Sequence, residues 1–298
     1  MLIAGWGVAA DTLRATGPML IFLTSALTIA SLAERAGLAG WAGAALSRAS
    51  HGRPRRLYAL VCLSSAALTC IVSLDRAVVL MVPLVNALSR RCRVARAPLF
   101  LGAVGVANAV SLSVPEGNPT NLVVMSRLGL STSAFLEHLL VPGLCAGVLC
   151  ALVPLRRLAR ESRVDTLVVN AAPIFVPWRI GAQMAGLVAA LDRLAPVVSL
   201  RGGGLVTLLA VAAGTAMASA VANNLPVSAS VAAFASAGPG AYAALIGLSV
   251  GALATAHGSV ATLIARDLAG EHRPWARMWV PPAAAAVALS TLVFWALS

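Results

Sequence analysis

Asn108-Ala-Val-Ser-Leu-Ser-Val-Pro-Glu-Gly-Asn-Pro-Thr-Asn121 interrupts an apolar run, 99–125, that is otherwise long enough to cross a membrane as one helix. Pro115, Gly117 and Pro119 fall within five residues, and a proline costs a helix interior about 3 kcal/mol. Because lipid cannot satisfy free backbone amides, a spanning helix is normally interrupted only where it lines a cavity. The sequence therefore predicts a broken helix over 99–126 that lines a binding site.

The composition places the whole chain in a membrane. Of its 298 residues, 59% are hydrophobic and only 11% are charged, and the mean hydropathy is +0.89, which is typical of a polytopic membrane protein. The net charge is +12 and every one of the 22 basic residues is arginine. The arginines cluster at 48–56, 90–96 and 156–163, which predicts a multi-pass protein of the plasma (inner) membrane with its N-terminus outside. They explain the positive charge without a nucleic-acid partner.

Two further runs carry a polar centre between apolar arms. The run 57–89 has the centre Ser73-Leu74-Asp75-Arg76, and the run 205–237 has the centre Asn223-Asn224-Leu225-Pro226. Both runs predict a re-entrant helical hairpin, because each is long for one span and short for two. A second broken helix is predicted over 241–265, interrupted at Thr255-Ala-His-Gly-Ser259.

The order of these elements predicts the fold class, an all-α polytopic membrane protein built as an inverted-topology repeat. Each half holds about three transmembrane helices, one re-entrant hairpin and one broken helix. The first repeat is 1–164, the linker is 165–177 and the second repeat is 178–298. The spans include 17–33 and 178–194, and a short helix over 38–49 lies along the membrane surface. Leu112-x-x-x-x-Gly117 matches Leu253-x-x-x-x-Gly258 at an offset of 141, and Asp75 lies 149 positions before Asn224.

Each interruption carries a residue that can start a new half-helix. These residues are Asp75, Asn118, Asn224 and Ser259. Helix N-termini favour an anion or an electron-rich oxygen ligand, and the preceding half-helix ends favour a cation or a protonated group. Capping alone would explain the same residue types.

Two acids lie at depth in the apolar segments, Asp75 and Glu116. Burial favours the neutral form of a carboxyl group, so we expect Glu116, together with Asp75, to couple substrate movement to protons. The offset of 141 places His257 opposite Glu116, where it could share the proton or simply pack. Asp75 could instead pair with Arg76. The five cysteines form no metal or disulfide pattern, and we expect no cofactor beyond a coupling proton or sodium ion.

Four stretches carry a family resemblance. They are Val72-Ser-Leu-Asp-Arg-Ala-Val-Val-Leu-Met-Val-Pro83, Ala107-Asn-Ala-Val-Ser-Leu-Ser-Val-Pro-Glu-Gly-Asn-Pro-Thr-Asn-Leu122, Ala222-Asn-Asn-Leu-Pro226 and Gly258-Ser-Val-Ala-Thr-Leu263. In order and spacing the chain resembles the ion-transporter superfamily, most closely its arsenite-efflux permease branch. The resemblance implies an elevator-type permease, with a homodimer as the candidate assembly. It also implies a substrate site of Ser73, Asp75, Glu116, Gly117, Asn118, Asn121, Asn223, Asn224, Thr255, Gly258 and Ser259.

The leading functional hypothesis is a proton-coupled secondary transporter of an inorganic anion or a metalloid oxyacid such as arsenite, not an enzyme. A carboxylate, sulfate or sodium/proton transporter of the same superfamily is one alternative. A shortened membrane protein that binds a ligand without transporting it is another. The first hairpin departs from the superfamily, which usually has Asn-Asp followed by a small residue where this chain has Leu74-Asp75-Arg76.

Overall fold

The computed structural model describes residues 35–158, 203–270 and 275–298, together with Ser25, Thr28 and Leu32. Within these ranges the chain is helical and contains no β-strand. The helices are α1 Leu38–Ser50, α2 Pro54–Val72, α3 Leu74–Cys92, α4 Arg96–Val110, α5 Pro119–Leu128, α6 Thr132–Leu158, α7 Leu205–Ala222, α8 Asn224–Phe234, α9 Pro239–Val250, α10 Val260–Ala269 and α11 Trp275–Leu297. Short 3₁₀ turns occupy Ser111–Ser113, Pro115–Gly117 and Gly251–Ala254.

Within the described part of the chain, five helical segments are long and apolar enough to cross a membrane, which agrees with the polytopic fold class. They are Pro54–Val72, Arg96–Ser113, Thr132–Leu155, Leu205–Ala222 and Trp275–Leu297. The predicted span 178–194 and the linker 165–177 lie outside the described residues, as does most of the span 17–33.

Both predicted hairpins are present as helix pairs. Hairpin 1 is α2 and α3, which pack against each other across a break at Ser73, and hairpin 2 is α7 and α8, across a break at Asn223. The arms of hairpin 1 run over 54–92, three residues beyond the predicted limits at each end. Because α2 and α7 are each long enough to cross a bilayer, their length does not by itself make the hairpins re-entrant.

Both predicted broken helices are also interrupted. The first runs from α4 to α5, over 96–128, and the second from α9 to α10, over 239–269. Gly129 and Gly270 end the second halves in the left-handed conformation, with φ of 65° and 59°, and these two glycines lie 141 positions apart. The sequence offset therefore recurs in the backbone.

The first halves of the two broken helices form the centre of the fold. Every residue of α4 is buried, and so is every residue of α9 from Gly240 to Val250. α6 packs along α4, α7 packs along α9, and α11 contacts both α6 and α7. The interruptions that follow α4 and α9 therefore begin inside the protein, although Glu116 and His257 within them are exposed.

The second arm of each hairpin packs against the second half of the broken helix in the other repeat. α3 of hairpin 1 packs against α10 of the second half, and α8 of hairpin 2 packs against α5 of the first half. Buried Arg96 adds a further tie, since its Nη1 donates to the carbonyl oxygen of Ala269 at 2.7 Å. This places a cation at the C-terminus of α10, where the helix dipole favours it.

Candidate functional site

The first interruption is closed by two asparagines. Asn118 caps α5, where its Oδ1 accepts from the amide of Thr120 at 3.1 Å, and Pro119 follows as the first helical residue. Asn121 Nδ2 donates to the carbonyl oxygens of Ser111 at 2.9 Å and Val114 at 3.1 Å. The two carbonyl groups that the break releases are therefore satisfied by one buried side chain. The expectation that Asn118 begins a half-helix is confirmed.

The second interruption has the same backbone conformation as the first but fewer side-chain hydrogen bonds. Thr255 and Ser259 are extended, as are Val114 and Asn118, to which they correspond at the offset of 141. Ser259 precedes α10, as expected, but its side chain makes no capping hydrogen bond.

Gly117 and Gly258 occupy the tightest point of each interruption. A Cβ at Gly117 would lie 2.5 Å from the carbonyl oxygen of Ser111, and a Cβ at Gly258 would lie closer still to that of Ala252. Both sites therefore require glycine for close backbone approach.

Two hydrogen bonds join the broken helices to each other reciprocally. Asn108 Nδ2 on α4 donates to Thr262 Oγ1 on α10 at 3.2 Å. Ser249 Oγ on α9 donates to Asn121 Oδ1 on α5 at 3.3 Å. Asn108 corresponds to Ser249, and Asn121 to Thr262, at the same offset of 141. Each first half is thus bonded to the other repeat's second half.

These four linking residues include three that the sequence analysis missed, namely Asn108, Ser249 and Thr262. All three are buried. The offset that aligned Gly117 with Gly258 could have identified them, because it pairs polar residues on both sides of each break. Their partner Asn121 was predicted only through the family resemblance.

The tip of hairpin 2 is bonded to the second interruption. Asn223 has φ 74°, and its Oδ1 accepts from the amide of Leu225 at 3.2 Å. Its Nδ2 donates to the carbonyl oxygen of His257 at 2.6 Å, and the amide of Asn224 donates to that of Gly258 at 2.8 Å. Thr255 Oγ1 adds a bond of 2.6 Å to Ala220. The predicted residues of this region therefore form one connected network.

The tip of hairpin 1 has no such network. Ser73 has φ 83°, its side chain does not cap α3, and its Oγ lacks a hydrogen-bond partner. Asp75 is buried, with 7% of its surface exposed, and α2 packs against Pro115–Gly117. Hairpin 1 therefore lies beside the first interruption, and the Ser73 hydroxyl group at its tip has no hydrogen-bond partner.

Both hairpins begin their second arm one or two residues earlier than predicted. Ser73 precedes α3, so Asp75 lies inside its first turn, and Asn223 precedes α8, so Asn224 is its first residue. The reason is the positive φ of Ser73 and Asn223, which turns the chain before the predicted residues. The two tips consequently correspond at an offset of 150, and Asp75 corresponds to Leu225.

The titratable residues of the interruptions are distributed differently from the prediction. Glu116 and His257 are exposed, and Arg76 is exposed as well. The expected burial of Glu116 is wrong: its neighbours Pro115 and Gly117 are buried, and Glu116 itself is exposed. Asp75, Gly117, Asn118, Asn121, Asn223, Asn224, Gly258 and Ser259 are buried, and Ser73 and Thr255 are half-buried.

The groups available for ligand binding at the four breaks are mainly those of helix ends. The N-termini of α3, α5, α8 and α10 follow the four breaks, and each leaves backbone amides without an intrahelical acceptor. Among the described side chains, buried hydroxyl groups without a partner lie at Thr69, Ser73, Ser113, Thr120 and Ser219. Thr69 and Ser219 correspond at the hairpin offset of 150 and lie four residues before each break. Such a set of donors suits an oxyanion better than a metal ion.

These features define a class: a helical membrane protein with paired interruptions of the kind found in secondary transporters. The sequence model of the citrate transporter family, CitMHS, matches residues 4–191. This is more than half of the chain, and the chain belongs to that family. The family is one of transporters within the ion-transporter superfamily, so the expectation that the chain belongs to this superfamily is confirmed.

Two curated relatives are membrane proteins. A 46 kDa membrane protein of Mycobacterium leprae is 27% identical over 137 residues, which are 46% of this chain and 32% of the relative. Inner membrane protein YbiR of Escherichia coli is 34% identical over 85 residues, which are 28% of this chain and 23% of the relative. The chain thus spans about a third and about a quarter of the lengths of these relatives.

Proposed function

We propose that this protein is a secondary active transporter of a small anion, coupled to protons and working by an elevator-type movement. The observation that carries the proposal is the reciprocal pair of hydrogen bonds, Asn108–Thr262 and Asn121–Ser249, between two equally interrupted helices. Interrupted helices are costly in a bilayer unless they serve a site. Two of them held together at their breaks are best explained by a substrate that binds between them.

An anion is the cargo that fits the charges of the breaks. Four helix N-termini present amides and positive dipole ends, and unpartnered hydroxyl groups lie nearby at Ser73 and Thr120. The family match favours a carboxylate such as citrate as the first cargo to test. A metalloid oxyacid such as arsenite, suggested by the resemblance of the four motifs, is the second.

Glu116 and His257 are the proposed proton carriers. They correspond at the offset of 141, one at each interruption, and both are exposed. An exposed ionisable group inside a membrane protein is best explained by a water-filled cavity, since lipid would penalise its charge by about 2.5–3.5 kcal/mol or more. Water access is also what proton exchange requires. Asp75, the third candidate, is buried next to Arg76.

The architecture that goes with this function is an inverted repeat of 1–164 and 178–298 joined by a linker, with two re-entrant hairpins. Its N-terminus would lie outside, and a homodimer is the proposed assembly. Support comes from the recurrence of helix pair, broken helix and spanning helix in the same order on both sides of the linker. The exchange of second arms between the halves, α3 with α10 and α8 with α5, is that expected of two repeats around a common axis.

The decisive experiment is flux into vesicles that contain the purified protein. Citrate, arsenite and sulfate are offered in turn, with and without a pH gradient and with and without sodium. We expect uptake of one anion that rises with the gradient and is competed by its own unlabelled form. Thermal stabilisation by an anion without any uptake would instead favour a ligand-binding protein that does not transport.

Proton coupling is tested with Glu116→Gln and His257→Gln. We expect the gradient-driven part of uptake to fall about tenfold in at least one variant, while anion binding measured by thermal shift persists. If both variants keep the pH dependence of the unmodified protein, the assignment of the carriers is wrong. Ser126→Ala, an exposed change on α5 away from the breaks, serves as the control.

A further inference from the structure

The two hairpin tips differ in charge. At the offset of 150 that relates Ser73 to Asn223, Asp75 corresponds to Leu225 and Arg76 corresponds to Pro226. The tip of hairpin 1 therefore carries one negative and one positive side chain, whereas the equivalent positions of hairpin 2 carry no charge. A full charge inside a membrane protein is costly, so a charge pair at one tip requires a reason.

Arg76 lies between two helix ends, the C-terminus of α2, which attracts a cation, and the N-terminus of α3, which repels it. It is in the first turn of α3, and the positive end of that helix dipole disfavours it. Its Nη1 reaches back to the carbonyl oxygen of Val72, the last residue of α2, at 3.4 Å. The final carbonyl groups of a helix have no intrahelical donor and form the negative end of its dipole. The guanidinium group thus serves the C-terminus of α2.

Asp75 supplies the negative charge beside this cation. Asp75 directly precedes Arg76 in the first turn of α3, and its carboxyl group is buried. A buried carboxylate needs a countercharge, because desolvation of an isolated ion costs several kcal/mol. A carboxylate together with the carbonyl end of a half-helix is also a set of oxygen ligands that can hold a mobile coupling cation in a broken-helix transporter.

We propose that the guanidinium of Arg76 is the tethered counter-cation of hairpin 1, so that this tip needs no sodium ion. It stabilises the end of α2 and the charge of Asp75 at the same time. If the protein is a transporter as proposed above, it should work without sodium, and this part of the proposal rests on the proposed function. The absence of sodium binding at the tip of hairpin 1 does not rest on it, since sodium binding can be measured without transport.

The test is Arg76→Gln, which removes the charge and keeps a hydrogen-bonding side chain. Each protein is melted in detergent in sodium chloride and in choline chloride. We expect the unmodified protein to melt at the same temperature in both salts and the variant to be stabilised by sodium, because Asp75 and the Val72 carbonyl are left without a cation. Stabilisation of the unmodified protein by sodium, or indifference of the variant to sodium, would overturn the proposal.

Two further variants complete the experiment. Arg76→Lys keeps the charge and should remain indifferent to sodium. Arg127→Gln removes the same charge from the last turn of α5 and should leave the protein indifferent to sodium, in melting and in flux. If Arg76→Gln does not accumulate, the sodium response of the unmodified protein and of Arg76→Lys decides: stabilisation of either by sodium rejects the tethered cation, and indifference of both supports it.

Flux separates this proposal from the proposed function. In vesicles, we expect uptake by the unmodified protein to be equal in sodium and choline. Uptake by Arg76→Gln should fall about tenfold in choline and recover in part with sodium. A protein that moves no anion under any condition contradicts the proposed function, whereas the melting experiment still decides whether Arg76 replaces sodium.

Discussion

Ser73 and Asn223 hold equivalent places in the two hairpins, and they turn the chain with the same left-handed backbone conformation. Asparagine adopts positive φ several times more readily than serine. Asn223 also bonds to both sides of its turn, to the amide of Leu225 and the carbonyl of His257, while the Ser73 hydroxyl bonds to neither. The turn at Asn223 therefore holds hairpin 2 against the neighbouring break, whereas the turn at Ser73 has a positive φ and a hydroxyl group without a hydrogen-bond partner.

This difference assigns separate tasks to the hairpins. Hairpin 2 and the second interruption form one bonded unit through His257, Gly258 and Thr255. Hairpin 1 carries Asp75, Arg76 and the unpartnered hydroxyl group of Ser73. We therefore expect changes at hairpin 2 to act mainly on stability and changes at hairpin 1 to act mainly on binding.

The largest effect is expected for Asn223→Ala. It removes two hydrogen bonds and places an alanine at φ 74°, which should lower the free energy of unfolding by about 3 kcal/mol. Ser73→Ala is the matched control and should change it by less than about 0.5 kcal/mol while weakening anion binding. Equilibrium unfolding in mixed micelles measures the first effect and a thermal-shift titration the second. Equal losses of stability in both variants would remove the distinction between the tips.

Gly258→Ala comes next, with Gly117→Ala as its counterpart in the first interruption. An added Cβ meets a backbone carbonyl at both positions, and we expect losses of about 2 kcal/mol each, larger for Gly258→Ala. Because the tip of hairpin 2 bonds to the carbonyl of Gly258, that variant should also expose hairpin 2 to protease. A greater loss at Gly117 than at Gly258 would contradict this order.

Thr255→Val makes the second interruption resemble the first, where the corresponding residue is Val114. It removes the bond of 2.6 Å from Thr255 to Ala220 and should cost about 1 kcal/mol in the same unfolding assay. The reverse change, Val114→Thr, should not increase stability, because hairpin 1 would have to pack against the first interruption as hairpin 2 packs against the second to accept the new hydrogen bond. A stabilising Val114→Thr would therefore show that the hairpins are more alike than these contacts indicate.

The smallest effect is a gain. Ser73→Asn introduces at hairpin 1 the residue that holds hairpin 2, and the easier positive φ and new capping bond should add about 0.5 kcal/mol of stability. The same variant should bind anions less tightly, because the amide occupies groups that the serine leaves unused. Unchanged binding together with higher stability would place the ligand elsewhere.

The location of the four interruptions could be predicted from sequence because proline, glycine and asparagine have strong local preferences. Asn118-Pro119 predicted the start of α5 correctly, and the offset of 141 predicted the correspondence of Gly117 with Gly258. The starts of α3 and α8 were displaced because a positive φ at Ser73 has no clear sequence signal. Hairpin 1 and both broken helices extend a few residues beyond the predicted ranges, whereas hairpin 2 ends at Phe234, three residues before its predicted limit, because caps and not apolar content set the helix ends.

The exposure of Glu116 and the bonding of Asn223 could not be predicted, since both depend on tertiary contacts. The position of a residue within an apolar run indicates its depth in the membrane but not whether its side chain is buried or exposed. The carbonyl that Asn223 reaches belongs to His257, 34 positions away, and that pairing exists only after the hairpin has packed on the break. The prediction of an arsenite-type substrate remains untested, as do the assigned site roles.

The reciprocal bonds of Asn108 and Asn121 also bear on how the chain is made. Thr262 and Ser249, their partners, are synthesised more than a hundred residues later. While the first half is being inserted, the Nδ2 groups of both asparagines can donate within that half, to the carbonyl oxygens of Val104, Ser111 and Val114. Asn121 Oδ1, however, lacks its donor Ser249 until the second half arrives, and an unsatisfied polar group in lipid is unfavourable. The early helices must therefore stay near the insertion machinery or in contact with water until the late helices arrive. Assembly of the protein in the membrane, and not only transport, would then depend on a contact between the two halves that forms late in synthesis.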